Sequence, residues 1–327
     1  MKILKIVLLN FLVLALIIML IDFCVYQKHV IAYKKNYSAE FLKVFPVIKY
    51  FENYRAGYEG QTIQEIDNLS FRNDLTPFNI NKKEGGIIFI GCSYTFGTGI
   101  EDNEILSYLI YKNTNRNVLN LGIQAGGLQH FYYLINKNNF FKDNFPESFN
   151  PEYVFYTYIP NHIERLNSKI YPQPLMVNGY YVRYKLEDNK LELQKPLLPS
   201  FLYKSFIVKS FLYNCQIARD NEAKEIQDDN FALFNKLLIE TRKIMEQKYP
   251  NIKFVILRYR TVNDGETAEL PDMWDVLKEE GFIILDSEEL IGRKFEYNSS
   301  DCTADNHHPS VKAWKMLVPK IIEKLNL

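Results

Sequence analysis

Five short apolar runs, each bounded by turn-forming residues and separated by helix-length stretches, constrain this chain more than any other feature. Gly86-Ile87-Ile88-Phe89-Ile90 is apolar without alternation up to Gly91, as expected of a strand buried on both faces. Val118–Ile123 follows and leads into Ala125-Gly126-Gly127. Tyr153–Ile159 is stopped by Pro160, and Lys253–Tyr259 and Phe282–Asp286 complete the set. Helices are expected over about Asn103–Thr114, Leu128–Asn139, Asp228–Gln247 (ended by Pro250) and Val311–Leu325, with Pro309 near the first turn of the last. This alternation predicts an α/β fold, a three-layer α/β/α doubly wound sandwich around a five-stranded parallel sheet. Functional groups in such sheets collect at the carboxyl ends of the strands. Ser93, Ala125-Gly126 and Asn161 all fall there.

The remainder of the 327 residues decorates that unit. From Ile6 to Tyr26 the chain is apolar, interrupted by Asn10 and Asp22 and preceded by Lys2 and Lys5. That length suits a membrane-spanning helix. No small-x-small cleavage site follows, and the residues before Cys24 do not resemble a lipoprotein signal. Residues 1–30 are therefore expected to be an uncleaved transmembrane signal anchor, with the rest of the chain outside the cytoplasm, periplasmic or at the cell surface; the other readings are a cleaved signal peptide and, last, a buried core helix. Residues 31–84 read as an irregular stalk and lead-in, and 85–327 as the folded domain. An insert at 162–227 interrupts the strand–helix alternation. Val182–Leu186 and Lys190–Leu193 flank Asp188-Asn189 as a hairpin, and Phe201, Leu202, Phe206, Ile207, Phe211 and Leu212 have near-helical spacing. That set is expected to cap the core, the other reading being a helix lying on the bilayer.

Charge and cysteine content exclude several function classes. Lys+Arg and Asp+Glu balance at 39 each, so no nucleic-acid partner is expected. The four cysteines (Cys24, Cys92, Cys215 and Cys302) have no CxxC spacing, so neither a zinc site nor a disulfide framework is expected. No Gly-rich phosphate loop follows a strand. The expected cofactor complement is none.

Two short stretches carry chemistry. Gly91-Cys92-Ser93 puts a hydroxyl on a strand-to-helix turn, and Asp305-Asn306-His307-His308-Pro309-Ser310 puts a carboxylate three residues before a histidine. Nucleophilic acyl chemistry needs those parts: a hydroxyl, a general base, and a group that orients the base. Ser93, His308 and Asp305 are the candidates. His307 is the rival base, and the spacing to Asp305 favours His308. Thr95 stands where a Gly-x-Ser-x-Gly elbow needs its second glycine, so the α/β-hydrolase arrangement does not fit. His29, His130 and His162 have no acid partner at useful spacing and are expected to be structural.

Four segments read together resemble the four blocks of the SGNH hydrolase superfamily, the GDSL-like lipases and esterases. Gly91-Cys92-Ser93 resembles the first block, with Ser93 as nucleophile. Asn120-Leu121-Gly122-Ile123-Gln124-Ala125-Gly126 resembles the second, which supplies a backbone amide to an oxyanion. Pro160-Asn161-His162 resembles the third, with Asn161 as side-chain donor, and Asp305-x-x-His308-Pro309-Ser310 resembles the last. Ser70-Phe71-Arg72-Asn73-Asp74 is similar to a segment that precedes the first block in anchored members. The chain departs from the pattern at Cys92, Ala125 and His162, where aspartate, glycine and aspartate are usual. The resemblance implies a flavodoxin-like sheet and a membrane-anchored serine esterase or O-acyltransferase. Its substrate would be an acylated small molecule, glycan or lipid, with O-acetylated ones foremost. The oxyanion hole it implies is formed by Ser93, Ala125 or Gly126, and Asn161. The three departures motivate a second expectation, a non-catalytic scaffold or binding module of a cell-surface polysaccharide assembly.

Overall fold

The computed structural model describes residues 10, 13, 14, 17, 20, 63–66, 69–72, 84–123, 126–137, 140–145, 148–167, 182–194, 227–259, 273–296, 299–303 and 308–327. Most of the expected anchor and the 201–212 apolar set lie outside the described residues. Among the described residues no helix is long and apolar enough to cross a membrane.

The central sheet has five parallel strands: β3 (Glu84–Gly91), β4 (Arg116–Gly122), β5 (Pro151–Tyr158), β8 (Lys253–Arg258) and β9 (Ile283–Asp286). Their spatial order is β4-β3-β5-β8-β9. Counted along the chain this is 2-1-3-4-5, the flavodoxin-like order of a doubly wound sheet, whose switch point lies between its first and third strands. The five apolar runs are these five strands, with ends shifted by one or two residues.

Helices cover both faces because the strands are apolar on both. Ile88 and Ile90 are fully buried in one layer with Phe131 and Leu134 of α3 (Leu128–Ile135) and Phe234, Leu237 and Leu238 of α6 (Gln227–Lys248). Ile87 and Phe89 point the other way, against Leu106 and Ile110 of α2 (Leu106–Asn113) and Trp314, Leu317 and Ile321 of α9 (Val311–Leu325). Strand alternation therefore divides the interior into two apolar layers.

Several expectations change. Residues 63–72, expected to be irregular lead-in, contain an antiparallel hairpin of β1 (Ile63–Ile66) and β2 (Leu69–Arg72). The single helix expected over Leu128–Asn139 ends at Ile135, and α4 (Phe140–Asn144) follows. The insert begins later than residue 162: α5 (Asn161–Asn167) leaves β5 directly and buries Ile163 and Leu166 in the first layer. Helices α7 (Met273–Glu279) and α8 (Ser287–Ile291) were not expected. The hairpin of β6 (Tyr184–Glu187) and β7 (Lys190–Leu193) forms around Asp188 and Asn189, whose φ values of 47° and 61° are those of a type I′ turn. Cys92 and Cys302 are free thiols.

The carboxyl edge of the sheet is one row: Gly122, Gly91, Thr157 and Leu257 are in register. Two of these must be glycine. Gly91 has φ +145°, and an added Cβ would lie 2.4 Å from Thr95 Oγ1. A Cβ on Gly122 would lie 2.4 Å from the backbone nitrogen of Phe96. Gly122→Ala should therefore lower the unfolding free energy by about 1–3 kcal/mol in urea titrations. Gly122 has no left-handed φ, so the loss reports the clash itself, whereas Gly292→Ala, at φ +72° with nothing within 4 Å of its added carbon, reports backbone strain without a clash. An unchanged stability in Gly122→Ala would show that the 93–96 turn does not pack on β4 as closely as this.

Candidate active site

The turn after β3 is built around Ser93. Cys92 is extended and buried, and Ser93 opens α1 (Ser93–Phe96), a helix of 4 residues closed by Gly97 in the left-handed region at φ 81°. The Ser93 carbonyl accepts from the amides of Gly97 (2.9 Å) and Thr98 (3.0 Å). Thr95 Oγ1 donates back to the Ile90 carbonyl at 3.1 Å. Ser93 is buried to 8% exposure, and among the described residues nothing hydrogen-bonds its hydroxyl.

Asn120, on the neighbouring strand β4, holds this turn. Its amide nitrogen donates to the Thr95 carbonyl at 2.8 Å and to Ser107 Oγ at 3.2 Å, while its oxygen accepts from the Gly122 amide at 2.9 Å. The Ile123 amide then donates to the Gly91 carbonyl at 3.0 Å. Asn120 and Gly122 thus support the turn that carries Ser93. Sequence reasoning placed both in a motif but did not find this role, which depends on the register of β4 against β3.

Beyond Ile123 the chain turns, and the Gly126 amide donates to the Ile123 carbonyl at 2.8 Å. Gly126 was expected as an alternative oxyanion donor, but its N–H is already used inside the turn. Ala125, the other candidate, lies outside the described residues. At the end of β5, Pro160 and Asn161 start α5, with the His162 amide donating to the Ile159 carbonyl at 2.9 Å. Asn161 is half-buried, and its side chain makes no hydrogen bond among the described residues. It sits at the same sheet edge as Ser93.

His162, where the resembled pattern has aspartate, points into the interior. It is buried, stacks on Tyr156 with ring centroids 5.4 Å apart, and its Nδ1 lies 2.6 Å from the Tyr156 hydroxyl. Burial first, then the charges of Arg165 and His130, hold its pKa well below the usual value. Burial also raises the Tyr156 phenol. A neutral imidazole accepting from a protonated phenol is the consistent assignment. His162 is a structural residue, as expected. So is His130, whose Nδ1 accepts from the Gly127 amide at 3.2 Å.

The C-terminal segment returns to the same edge, residues 301–303 pairing with 308–310. Cys302 bridges Pro309, the Thr303 amide donates to the His308 carbonyl at 2.8 Å, and the Ser310 amide donates to the Asp301 carbonyl at 2.8 Å. Ser310 Oγ caps α9 by accepting from the Ala313 amide at 3.2 Å. Asp301 is held by a bidentate pair, Arg293 Nη1 and Nη2 on its carboxylate at 2.5 and 2.8 Å. That guanidinium keeps the buried Asp301 carboxyl below its ordinary pKa. Thr303 packs over Gly99, leaving only 3.1 Å for any Cβ there. His308 is buried, its ring centroid 5.2 Å from that of Tyr94, the residue after Ser93, and Tyr94 also packs edge-on against Tyr259 at 5.4 Å. Asp305 and His307 lie outside the described residues. The fold thus brings Ser93, Asn161 and His308 to one sheet edge from positions spread over more than two hundred residues.

No family model and no curated protein matches the chain. It is similar to several solved structures. One is a member of the lipolytic protein G-D-S-L family from Veillonella parvula DSM 2008, with 13% identity, 74% of this chain and 99% of that one covered, and TM-score 0.41. An acetyl xylan esterase (Est2A) from the rumen bacterium Butyrivibrio proteoclasticus gives 11% identity, 74% and 64% coverage, and TM-score 0.41. A carbohydrate esterase described as having divergent catalytic and non-catalytic binding functions gives 12% identity, 76% and 66% coverage, and TM-score 0.44. Likenesses at this level assign no family.

Two interior imidazoles, His162 buried and His130 half-buried, predict a pH dependence of stability. Burial, more than the nearby Arg165 charge, lowers the His130 pKa from 6.5 to about 4. Between those values the unfolded chain binds a proton that the folded chain does not. Stability is therefore full above pH 6.5 and falls as pH drops towards 4. At about 1.36 kcal/mol per pKa unit, the loss approaches about 3 kcal/mol. His162 adds to it in the same direction. His130→Gln keeps an acceptor for the Gly127 amide and should make chemical denaturation less pH-dependent between pH 7 and 5. An unchanged slope would contradict the neutral assignment.

Proposed function

We propose that this chain is a serine ester hydrolase or O-acyltransferase of the SGNH type. The observation that carries the reading is the convergence of Ser93, Asn161 and His308 at the carboxyl edge, next to the switch point of the sheet. Asp305 completes the proposed set as the carboxylate that orients His308, three residues before it.

In the proposed reaction His308 takes the Ser93 proton while Oγ attacks an ester carbonyl. The tetrahedral oxyanion is received by the Ser93 amide, the Ala125 amide and the Asn161 side chain. Collapse expels the alcohol, which takes its proton from His308, and leaves Ser93 acylated. Water or an acceptor hydroxyl then releases the acyl group by the same steps in reverse. The absence of a hydrogen bond on Ser93 Oγ among the described residues is compatible with this, because such contacts often tighten only with substrate bound. The same observation is what favours the second reading, a non-catalytic scaffold or binding module.

The resemblance of the four blocks supports an ester substrate. The apolar stretch at 6–26 supports a membrane anchor with the domain outside the cytoplasm, next to acylated glycans and lipids. Those are the proposed substrates, O-acetylated ones foremost.

Ester hydrolysis by the full-length chain separates the readings, with p-nitrophenyl acetate and an O-acetylated glycan as substrates. Ser93→Ala and His308→Ala should abolish turnover, and Asn161→Ala should lower kcat on the order of 100-fold to 1,000-fold. Equal rates in wild type and both alanine variants would sink the serine mechanism. A wild-type chain that binds an acylated glycan but never releases its acyl group would favour the binding module.

A further inference from the structure

Asn161 and Arg165 stand four residues apart on α5, one turn of the helix, so both project from the same side of it. Arg165 reaches across to the loop after β4, where its Nη1 donates to the Gly126 carbonyl at 2.9 Å. The same peptide unit carries the Gly127 N–H, which donates to His130 Nδ1 at 3.2 Å. Gly126's own N–H is spent on Ile123 at 2.8 Å. The peptide plane between Gly126 and Gly127 is thus held at its oxygen and at its hydrogen. A peptide plane fixed at both ends cannot rotate without losing two hydrogen bonds.

We propose that Arg165 is a positioning residue that locks the loop following Ile123 to the helix bearing Asn161, so that the backbone and side-chain donors address one oxygen. This rests on the esterase reading above. The two donors belong to different strand ends, and a hydrogen-bonding hole works only when both point to the place where negative charge develops. Arginine suits the task because its planar, permanently charged guanidinium gives directed bonds that a lysine ammonium does not. The neighbouring groups are arranged to accept that charge. His130 and His162 both face Arg165 and are held neutral, and Tyr156 keeps its proton. Protonation of either histidine would place a second cation beside the guanidinium.

The test compares full-length wild type, Arg165→Met and Arg165→Lys. Arg165→Met should lower kcat on p-nitrophenyl acetate on the order of tenfold to a hundredfold, with KM unchanged. Affinity for phenylboronic acid, which forms a tetrahedral adduct on the serine, should fall by the same factor. The melting temperature should hold, Arg165→Lys should recover part of the rate, and the Gly126 and Gly127 amides should exchange faster in Arg165→Met. An unchanged kcat in an active protein would overturn the assignment, as would a loss that simply follows a lowered melting temperature. A wild type with no esterase activity would defeat the esterase reading instead. Amide exchange would then decide the clamp: faster exchange at Gly126 and Gly127 in Arg165→Met supports it, and unchanged exchange overturns it.

Discussion

The close approach of the Ser93 turn to strand β4 is the constraint on which the rest of the site depends. With Gly91 and Gly122 both lacking a side chain, the backbone of α1 settles onto β4, where any Cβ on Gly122 would clash with Phe96 N. Asn120 then links the two by donating to the Thr95 carbonyl and accepting from the Gly122 amide. The buried carbonyl of Thr95 and the amide of Gly122 would be costly to leave unpaired. One side chain thus ties the turn that carries Ser93 to the end of β4.

The other parts of the site are held by similar local devices. In the C-terminal segment Thr303 pairs with His308, and Arg293 holds Asp301 beside them. The loop after β4 is tied to α5 through Arg165. Beneath lies an aromatic layer, with Tyr156 and Tyr158 packed against His162 and Phe234, and Tyr158 against Trp274. That layer explains why a histidine replaces the aspartate of the resembled pattern at position 162. A carboxylate there would be buried among rings, whereas a neutral imidazole can stack on Tyr156 and accept its hydroxyl proton.

Much of the sheet was legible in the residues. Ile87-Ile88-Phe89-Ile90 and Val154-Phe155-Tyr156 are apolar on both faces, and only a covered parallel strand accommodates that pattern. Val311–Leu325 was equally clear, because Pro309 stands near its first turn and apolar residues recur at helical spacing behind it. Short elements were not legible. Helix α5 has only 7 residues and is specified by its packing on α6 rather than by periodicity. The β1–β2 hairpin has strands of 4 residues each, too short for a clear alternation. The proposed site residues Ser93, Asn161 and His308 were chosen from residue type and order. Asn120 and Arg165 could not be assigned their roles, because both act through backbone groups that come near only in the folded register. Gly126 was chosen on type alone, and its amide is committed elsewhere.

The central claim is that Ser93 is a nucleophile activated by His308. Mass-spectrometric mapping of a fluorophosphonate adduct on the full-length chain tests it without any assumption about substrate. The account predicts a single covalent adduct on the peptide containing Ser93, lost when His308 is replaced by alanine. An unlabelled wild-type chain, or labelling of Ser93 that persists undiminished in His308→Ala, would contradict it.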